Sequence, residues 1–234
     1  MNKKIDINLE TLLEAGAHFG HQTKRWNPRM SDYVYGVKDG VYIIDLIKTK
    51  EAIEKAFEVL TKAVKEQKLI LFVGTKKQAK EKIREIGIEA DYPYVDERWL
   101  GGTLTNFDQV KNSVKTLEGL KADMQAGKYA NYTKMERLLI QRRIEKLEKT
   151  VGGLIKLDRL PDLMFVVDIR RERGAIAEAK RKGVEVIGLV DTNSDPTEVN
   201  LAIPVNDDAT AAVVYVLDLI KQAVLQAKSK KTKK

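Results

Sequence analysis

Apolar, β-branched runs alternate with helix-period patterns along this chain, and that alternation narrows its fold more than any other feature. "VYIIDL" (41–46) leads into "TKEAIEKAFEVLTKAVKEQ", where Ile53, Ala56, Phe57, Leu60 and Val64 recur at 3.6-residue spacing. "LILFVG" (69–74) leads into "TKKQAKEKIREIG", with Thr75 placed to cap the helix and Gly87 to stop it. "DLMFVVD" (162–168) precedes "RRERGAIAEAKRKG", and "VEVIGLVD" (184–191) follows at once. "LAIPVN" (201–206) runs into Asp207, Asp208 and the apolar helix "ATAAVVYVLDLIKQAVLQA". Strands that read as unbroken apolar runs are buried on both faces. The pattern therefore predicts an α/β fold, a doubly wound parallel sheet of five or six strands with helices on both sides.

One segment breaks the alternation. Between 105 and 154 there is no strand signal, and the apolar residues follow heptad-like steps: Phe107, Val110, Val114 and Leu117, then Ile140, Ile144, Leu147, Val151 and Leu154. "QAGKYANYT" (125–133) between the two runs carries turn residues. This predicts an antiparallel helical hairpin, 105–154, inserted into an α/β body made of 1–104 and 155–227. Such a projection is too thin for a deep pocket, so it reaches for a partner; a helical subdomain lying on the sheet is the other reading.

The formal charge is +8, but five of the lysines stand in the last seven residues, "KSKKTKK" (228–234), which leaves +3 (8 less 5) for the rest. That tail has no apolar surface to bury and is expected to be disordered. Arguments from basicity must then rest on where cations cluster. Cysteine is absent, which excludes disulfides and thiolate metal sites. "MNKKIDINLE" lacks an apolar run of signal-peptide length, and no stretch reads as a membrane span, so a cytoplasmic chain without a membrane partner is expected.

The chain's two histidines fall in "GAHFGHQTKRWNPRM" (16–30). His18 and His21, three apart, could share a helix face, but a zinc site needs at least three protein ligands, and the residues that follow are cationic. No metal and no other cofactor is expected; packed imidazoles or contacts to RNA remain. "FVGTKKQAK" offers an anion-friendly helix start without the spacing of a phosphate-binding loop or a dinucleotide fingerprint. A catalytic alternative rests on Asp168, Asp191 and Asp195, at or just beyond predicted strand ends, which could hold magnesium and a phosphate ester in a phosphate- or nucleotide-binding enzyme. Against it, the arginines of "IRRERG" would neutralise Asp168, and no nucleophile or base stands near in sequence. Cations interleaved with aromatics recur instead in "HQTKRWNPRM", "GTKKQAKEK", "ERWLGGTLTN", "MERLLIQRRIEK" and "RRERGAIAEAKRKG". Lysine and arginine neutralise phosphates, while tryptophan and histidine stack on unpaired bases, so the dispersed patches suggest a broad footprint on folded RNA and not on DNA. Trp99, ahead of Gly101 and Gly102, either joins that footprint or plugs the core beside a tight turn.

"LLEAGAHFGHQTKRWNPRMSDYVYGVKDGVYIIDLIKT", "FVGTKKQA", "ERWLGGTLTNF" and "LPDLMFVVDIRRERGAIAEAKRKGVEVIGLVDTNSDP" resemble, in order and over about 12–225, the blocks of the bacterial small-subunit ribosomal protein family S-two. The resemblance implies a non-catalytic component of the small ribosomal subunit, with a flavodoxin-like sheet and a coiled-coil hairpin. It implies a solvent-side position near the junction of head and body, contacts to ribosomal RNA and neighbouring proteins, a place late in assembly, and in many bacteria a role in holding the large flexible protein S-one. The block 16–29 matches the family's N-terminal signature, which makes His18, His21, Gln22, Lys24, Arg25, Trp26, Asn27 and Arg29 the first candidates for contacts. Lys76, Lys77, Arg98, Thr103 and Asn106 follow, from their positions at presumed strand ends and at the root of the hairpin.

Overall fold

A computed structural model describes residues 5–231. Helix α1 (Leu9–Glu14) is followed by strands β1 (Phe19–Gln22), β2 (Val34–Lys38) and β3 (Val41–Ile44), then by α2 (Leu46–Lys65), β4 (Ile70–Val73), α3 (Lys80–Glu89) and β5 (Tyr94–Val95). Next come α4 (Phe107–Gln125) and α5 (Lys134–Val151), then β6 (Leu163–Val166), α6 (Arg173–Lys182), β7 (Glu185–Val190), β8 (Leu201–Pro204) and α7 (Thr210–Lys231).

The five strands from β4 onward form one parallel sheet in the order β5-β4-β6-β7-β8. Numbered from its first strand this is 2-1-3-4-5, a doubly wound order whose winding reverses between β4 and β6. The central strands β4 and β6 are buried along their whole length because alternate side chains feed two cores. Ile70, Phe72, Leu163 and Phe165 pack toward α2, α3 and α7; Leu71, Val73, Met164 and Val166 pack toward α6 and the start of the helical hairpin. Helix α2 begins on Asp45, whose side chain accepts from the Ile47 amide, and Ile53, Ala56, Leu60 and Val64 are buried as their spacing predicts.

Several expectations change. The run at 41–46 is not in the parallel sheet: β3 joins β1 and β2 in a separate antiparallel sheet of order β1-β3-β2. The cause is local. Asp39 and Gly40 both take positive φ, 51° and 75°, the turn that folds β3 straight back on β2 with Lys38 opposite Val41. His18 and His21 consequently lie beside and on β1, not on a helix. Thr75 caps nothing, since α3 starts at Lys80 after an intervening turn, and Gly87 sits inside α3, where an added Cβ would come 2.2 Å from the Tyr94 ring.

The hairpin is present as α4 and α5, and Thr133 and Glu136 form a reciprocal capping box at the start of α5. It is not wholly a projection, because Val110, Val114, Leu117, Ile144 and Val151 belong to the second core. The boundary placed at 227/228 falls inside α7, which continues to Lys231; 232–234 lie outside the described residues. Thr210–Ser229 is also long and apolar enough to cross a membrane by length and composition. Half of that stretch is buried in the fold, with Val213, Val216, Leu217, Ile220 and Val224 in the first core, so it serves here as a core helix.

Candidate nucleic-acid interface

In a parallel sheet every strand ends at the same edge, and the loops after β4, β5, β6, β7 and β8 gather there. At the winding reversal the loops after β4 and β6 meet: Lys76 Nζ lies 3.3 Å from Asp168 Oδ2. The same ammonium lies 2.5 Å from Asp207 Oδ1 and 2.6 Å from Asp208 Oδ1, both in the loop after β8. Burial pulls the Lys76 pKa down, but Asp207, Asp208 and Asp168 outweigh it, and the group is held charged. Burial, reinforced by the carboxylates of Asp168 and Asp191, pushes Asp207 up to about 7 although Lys76 pulls the other way. Doubly wound sheets bind small ligands in the crevice at this reversal. Here a lysine and its carboxylates fill it.

The opening block is strapped over this edge. The His21 amide donates to Thr192 Oγ1 at 2.7 Å, and the Asn27 amide to the Thr192 carbonyl at 2.9 Å. The Asn206 side chain donates to the Gly16 carbonyl at 2.9 Å. Gly20 permits the approach, since a Cβ there would stand 2.5 Å from the Thr192 methyl. His21 Nδ1 is 3.0 Å from Asp191 Oδ1, and its Nε2 is 2.8 Å from Asn193 Nδ2 and 3.4 Å from Asp208 Oδ2. The bond to Asp191 raises the His21 pKa; burial lowers it, and Asp191, Asp208 and Asp207 add to the rise. Asp191 is fully buried and also accepts from the Thr192 and Asp207 amides.

His21, Asp191 and Asp208 bring ligand atoms within 4.8 Å of one another and could hold a metal ion. The argument that the histidines lack further ligands fails on the fold, because both carboxylates come from the far end of the chain. His18 takes no part: its ring lies against Phe19, burial lowers its pKa, and its Nδ1 has no hydrogen-bond partner among the described residues.

The candidate residues divide by exposure. Gln22, Lys24, Arg25, Lys77, Arg98 and Asn106 are exposed, and among the described residues Lys24, Arg25, Lys77 and Arg98 make no ion pair with a carboxylate within 4 Å. Arg29 pairs with Asp195 and reaches Thr197 Oγ1 at 3.2 Å, so it braces the strap. Trp26 is half-buried and stacked on Tyr42, ring centroids 4.7 Å apart. Asn27 caps the turn Pro28–Tyr33. Lys76 and Thr103 are buried; Thr103 Oγ1 donates to the Leu100 carbonyl at 2.6 Å. The expected neutralisation of Asp168 by the following arginines is also corrected. Arg171 gives Asp168 a backbone amide at 2.9 Å, while its guanidinium bonds Thr75, and Lys76 supplies the cation.

Sequence reasoning missed Glu178. Its buried carboxylate on α6 holds the loop at the hairpin's root, accepting from Trp99 Nε1, the amides of Gly102, Leu104 and Thr105, and Thr105 Oγ1 at 2.8–3.0 Å. Trp99 is thereby a structural residue, and Arg98 and Asn106 flank a loop fixed in place.

The family described as Ribosomal protein S2 matches residues 12–227. The chain belongs to the ribosomal protein S2 family. It is 45% identical over 222 residues to the small ribosomal subunit protein uS2 of Coprothermobacter proteolyticus, a match that covers 95% of this chain and 83% of that one. As a member of the S2 family it is a structural constituent of the small ribosomal subunit, found on the cytoplasmic ribosome, and not an enzyme. Of the three aspartates of the catalytic alternative, Asp168 and Asp191 are tied into the Lys76 and His21 network, and Asp195 is tied to Arg29.

Proposed function

We propose that the protein holds small-subunit ribosomal RNA along the edge where its parallel strands end. The observation that carries this is the set of exposed cations on successive segments there, Lys24 and Arg25 on the strap, Lys77 after β4 and Arg98 after β5, none of them within 4 Å of a carboxylate among the described residues. Beneath them the buried Lys76 network and the Glu178 bonds fix their relative positions, so one arrangement of phosphates is favoured over others. Gln22 and Asn106 are placed to add hydrogen bonds at the same edge.

The finer placement rests on the family resemblance. In this reading the protein sits on the solvent side near the head–body junction, joins late, packs its coiled-coil hairpin against neighbouring components, and helps to retain S-one where the cell has it. The domain division, an α/β body with 105–154 inserted, is part of the same reading, with the buried half of the hairpin serving the body's core.

The test is a sucrose-gradient profile of the tagged full chain against Lys24→Ala/Arg25→Ala/Lys77→Ala/Arg98→Ala, at moderate and high salt. Wild type should travel with small subunits and leave them on ribonuclease treatment. Each lost phosphate contact lowers the salt slope by about 0.7–0.9, so the variant should lose association with a slope reduced by about 3. Unchanged incorporation of a folded variant would refute this surface.

A further inference from the structure

Of the crossovers between parallel strands, the one from β7 to β8 contains no α-helix, only the single 3-10 turn Pro196–Glu198. A cleft of about 290 Å³ opens between this crossover, the start of α6 and the strap, lined by Asn27, Ile169, Arg170, Arg173, Asp195 and Glu198. That is close to the lower limit of small-ligand sites, about 300 Å³, and gives space for one nucleobase and not for a duplex. Its walls are held in place. Arg29 pairs with Asp195, the Thr197 amide donates to Asp195 Oδ1 at 3.0 Å, and Asn193 ties the crossover to the strap through His21 Nε2 at 2.8 Å.

The groups left free in this cleft are of both signs. Arg170 and Arg173 are exposed, and neither stands within 4 Å of a carboxylate among the described residues. Glu198 is half-buried, and its carboxylate makes no hydrogen bond or ion pair among them. Asn27 uses its Oδ1 to accept from the Arg29 amide at 3.0 Å, and its NH2 group is unbonded among the described residues. A surface that met only phosphates would gain nothing from a bare carboxylate, which repels them. The donor-rich edge of a base is another matter, since RNA is read on unpaired bases that stack on guanidinium planes and bond through their Watson–Crick and Hoogsteen edges.

We propose that this cleft takes one unpaired guanine of the RNA held along the neighbouring edge. Guanine presents two donors side by side, N1–H and N2–H2, to which the two oxygens of Glu198 are matched; uracil offers one ring N–H there, and adenine and cytosine one amino group each. Its opposite edge carries the acceptors O6 and N7, the pair that arginine recognises, and Arg170 and Arg173 supply that contact or a stacking plane and meet the flanking phosphates. Asn27 adds a donor from the strap. The exposed cations of the edge hold the RNA backbone without reading its sequence, whereas this cleft would read one base and set the register. The inference rests on the RNA-binding reading above and adds to it a single specific contact.

The experiment assembles small subunits with the full chain or with Glu198→Gln, which keeps the side chain's shape, and treats them with kethoxal, a reagent that adds across guanine N1 and N2. One unpaired guanine should be protected in wild-type subunits and should regain reactivity by about tenfold with Glu198→Gln, the worth of one hydrogen bond to a charged acceptor. Arg170→Ala/Arg173→Ala should expose the same guanine, while both variants still travel with small subunits in gradients. No protected guanine, protection indifferent to Glu198→Gln, or an adenine or cytosine uncovered to dimethyl sulfate in its place would each overturn the proposal. So would a rise in the Tm of the free chain with guanosine monophosphate while no guanine of the subunit is protected, which would make a free nucleotide the ligand. Failure of the wild-type chain to travel with small subunits would instead count against the RNA-binding edge, so the two failures are distinguishable.

Discussion

Replacing Glu178 with glutamine removes one oxygen and no volume, and the geometry states what that oxygen does. Oε2 serves three donors, the Leu104 and Thr105 amides and Thr105 Oγ1, while Oε1 serves the Gly102 amide and Trp99 Nε1. The glutamine carbonyl should take the three-donor side, which turns its NH2 group toward two donors. Leaving two donors unsatisfied costs about 1–2 kcal/mol each, and the other three bonds lose their charge assistance, so the total is about 3–5 kcal/mol. For a chain of this size that corresponds to a Tm lower by about 6–20 °C. Urea unfolding followed by tryptophan fluorescence gives the free energy, and hydrogen exchange at the Gly102, Leu104 and Thr105 amides localises it. Burial pushes the Glu178 carboxyl up, but its hydrogen bonds from Trp99, Thr105, Gly102 and Leu104 outweigh this and hold it below the ordinary value. Because the folded pKa is depressed, the stability it brings is present above the unfolded value near 4.5 and is lost as pH falls through the lower folded value. The wild-type advantage over Glu178→Gln should therefore shrink in acid. A loss under about 1 kcal/mol at neutral pH, or unchanged protection of those three amides, would refute the idea that one carboxylate fixes the root of the hairpin.

Two further outcomes concern the network under the strap. His21 has a folded pKa raised above 6.5, so its stabilisation is complete below that value and lost as pH rises through the folded one; the stability difference between wild type and His21→Gln should narrow from pH 6 to pH 8 in urea titrations, and a constant difference would contradict it. Lys76→Met leaves Asp207, Asp208 and Asp168 without their cation and should cost about 3–5 kcal/mol at pH 9, where Asp207 is charged, with partial recovery at pH 6 as Asp207, held near 7 even with Lys76 present, takes up a proton; equal losses at both pH values would show that Lys76 does not neutralise these carboxylates.

The parallel sheet was legible because a strand buried on both faces must be apolar at every position, and β4, β6, β7 and β8 advertise this in unbroken runs. The two residues of β5 are too short to carry any pattern. The antiparallel sheet was announced by Asp39-Gly40 between Val37 and Val41, a hairpin turn signature stronger than the run that follows it, and the alternation of the later chain drew β3 into the wrong sheet. The hairpin showed itself through spacing, but spacing does not reveal how deeply a seam is buried, so the half of it that belongs to the core was read as a projection.

Which cations of the candidate site stand exposed was not legible in the sequence, for a reason that lies in the chemistry of charge. A lysine after a strand looks the same in sequence whether it meets phosphate or carboxylate. Lys76 and Lys77 are adjacent, yet one is buried against acids up to 132 positions away and the other is exposed. Local spacing carries no trace of such partners, nor of Asp191, 170 positions from His21. What distinguishes the two lysines is which loops the winding order brings to one edge, since β4, β6 and β8 must all end there before Lys76 can find Asp168, Asp207 and Asp208. The buried cation and the exposed ones thus bear on each other: Lys76 offsets part of the negative charge that would otherwise repel a phosphate at this edge, where Lys24, Arg25, Lys77 and Arg98, the contacts proposed for RNA, stand exposed.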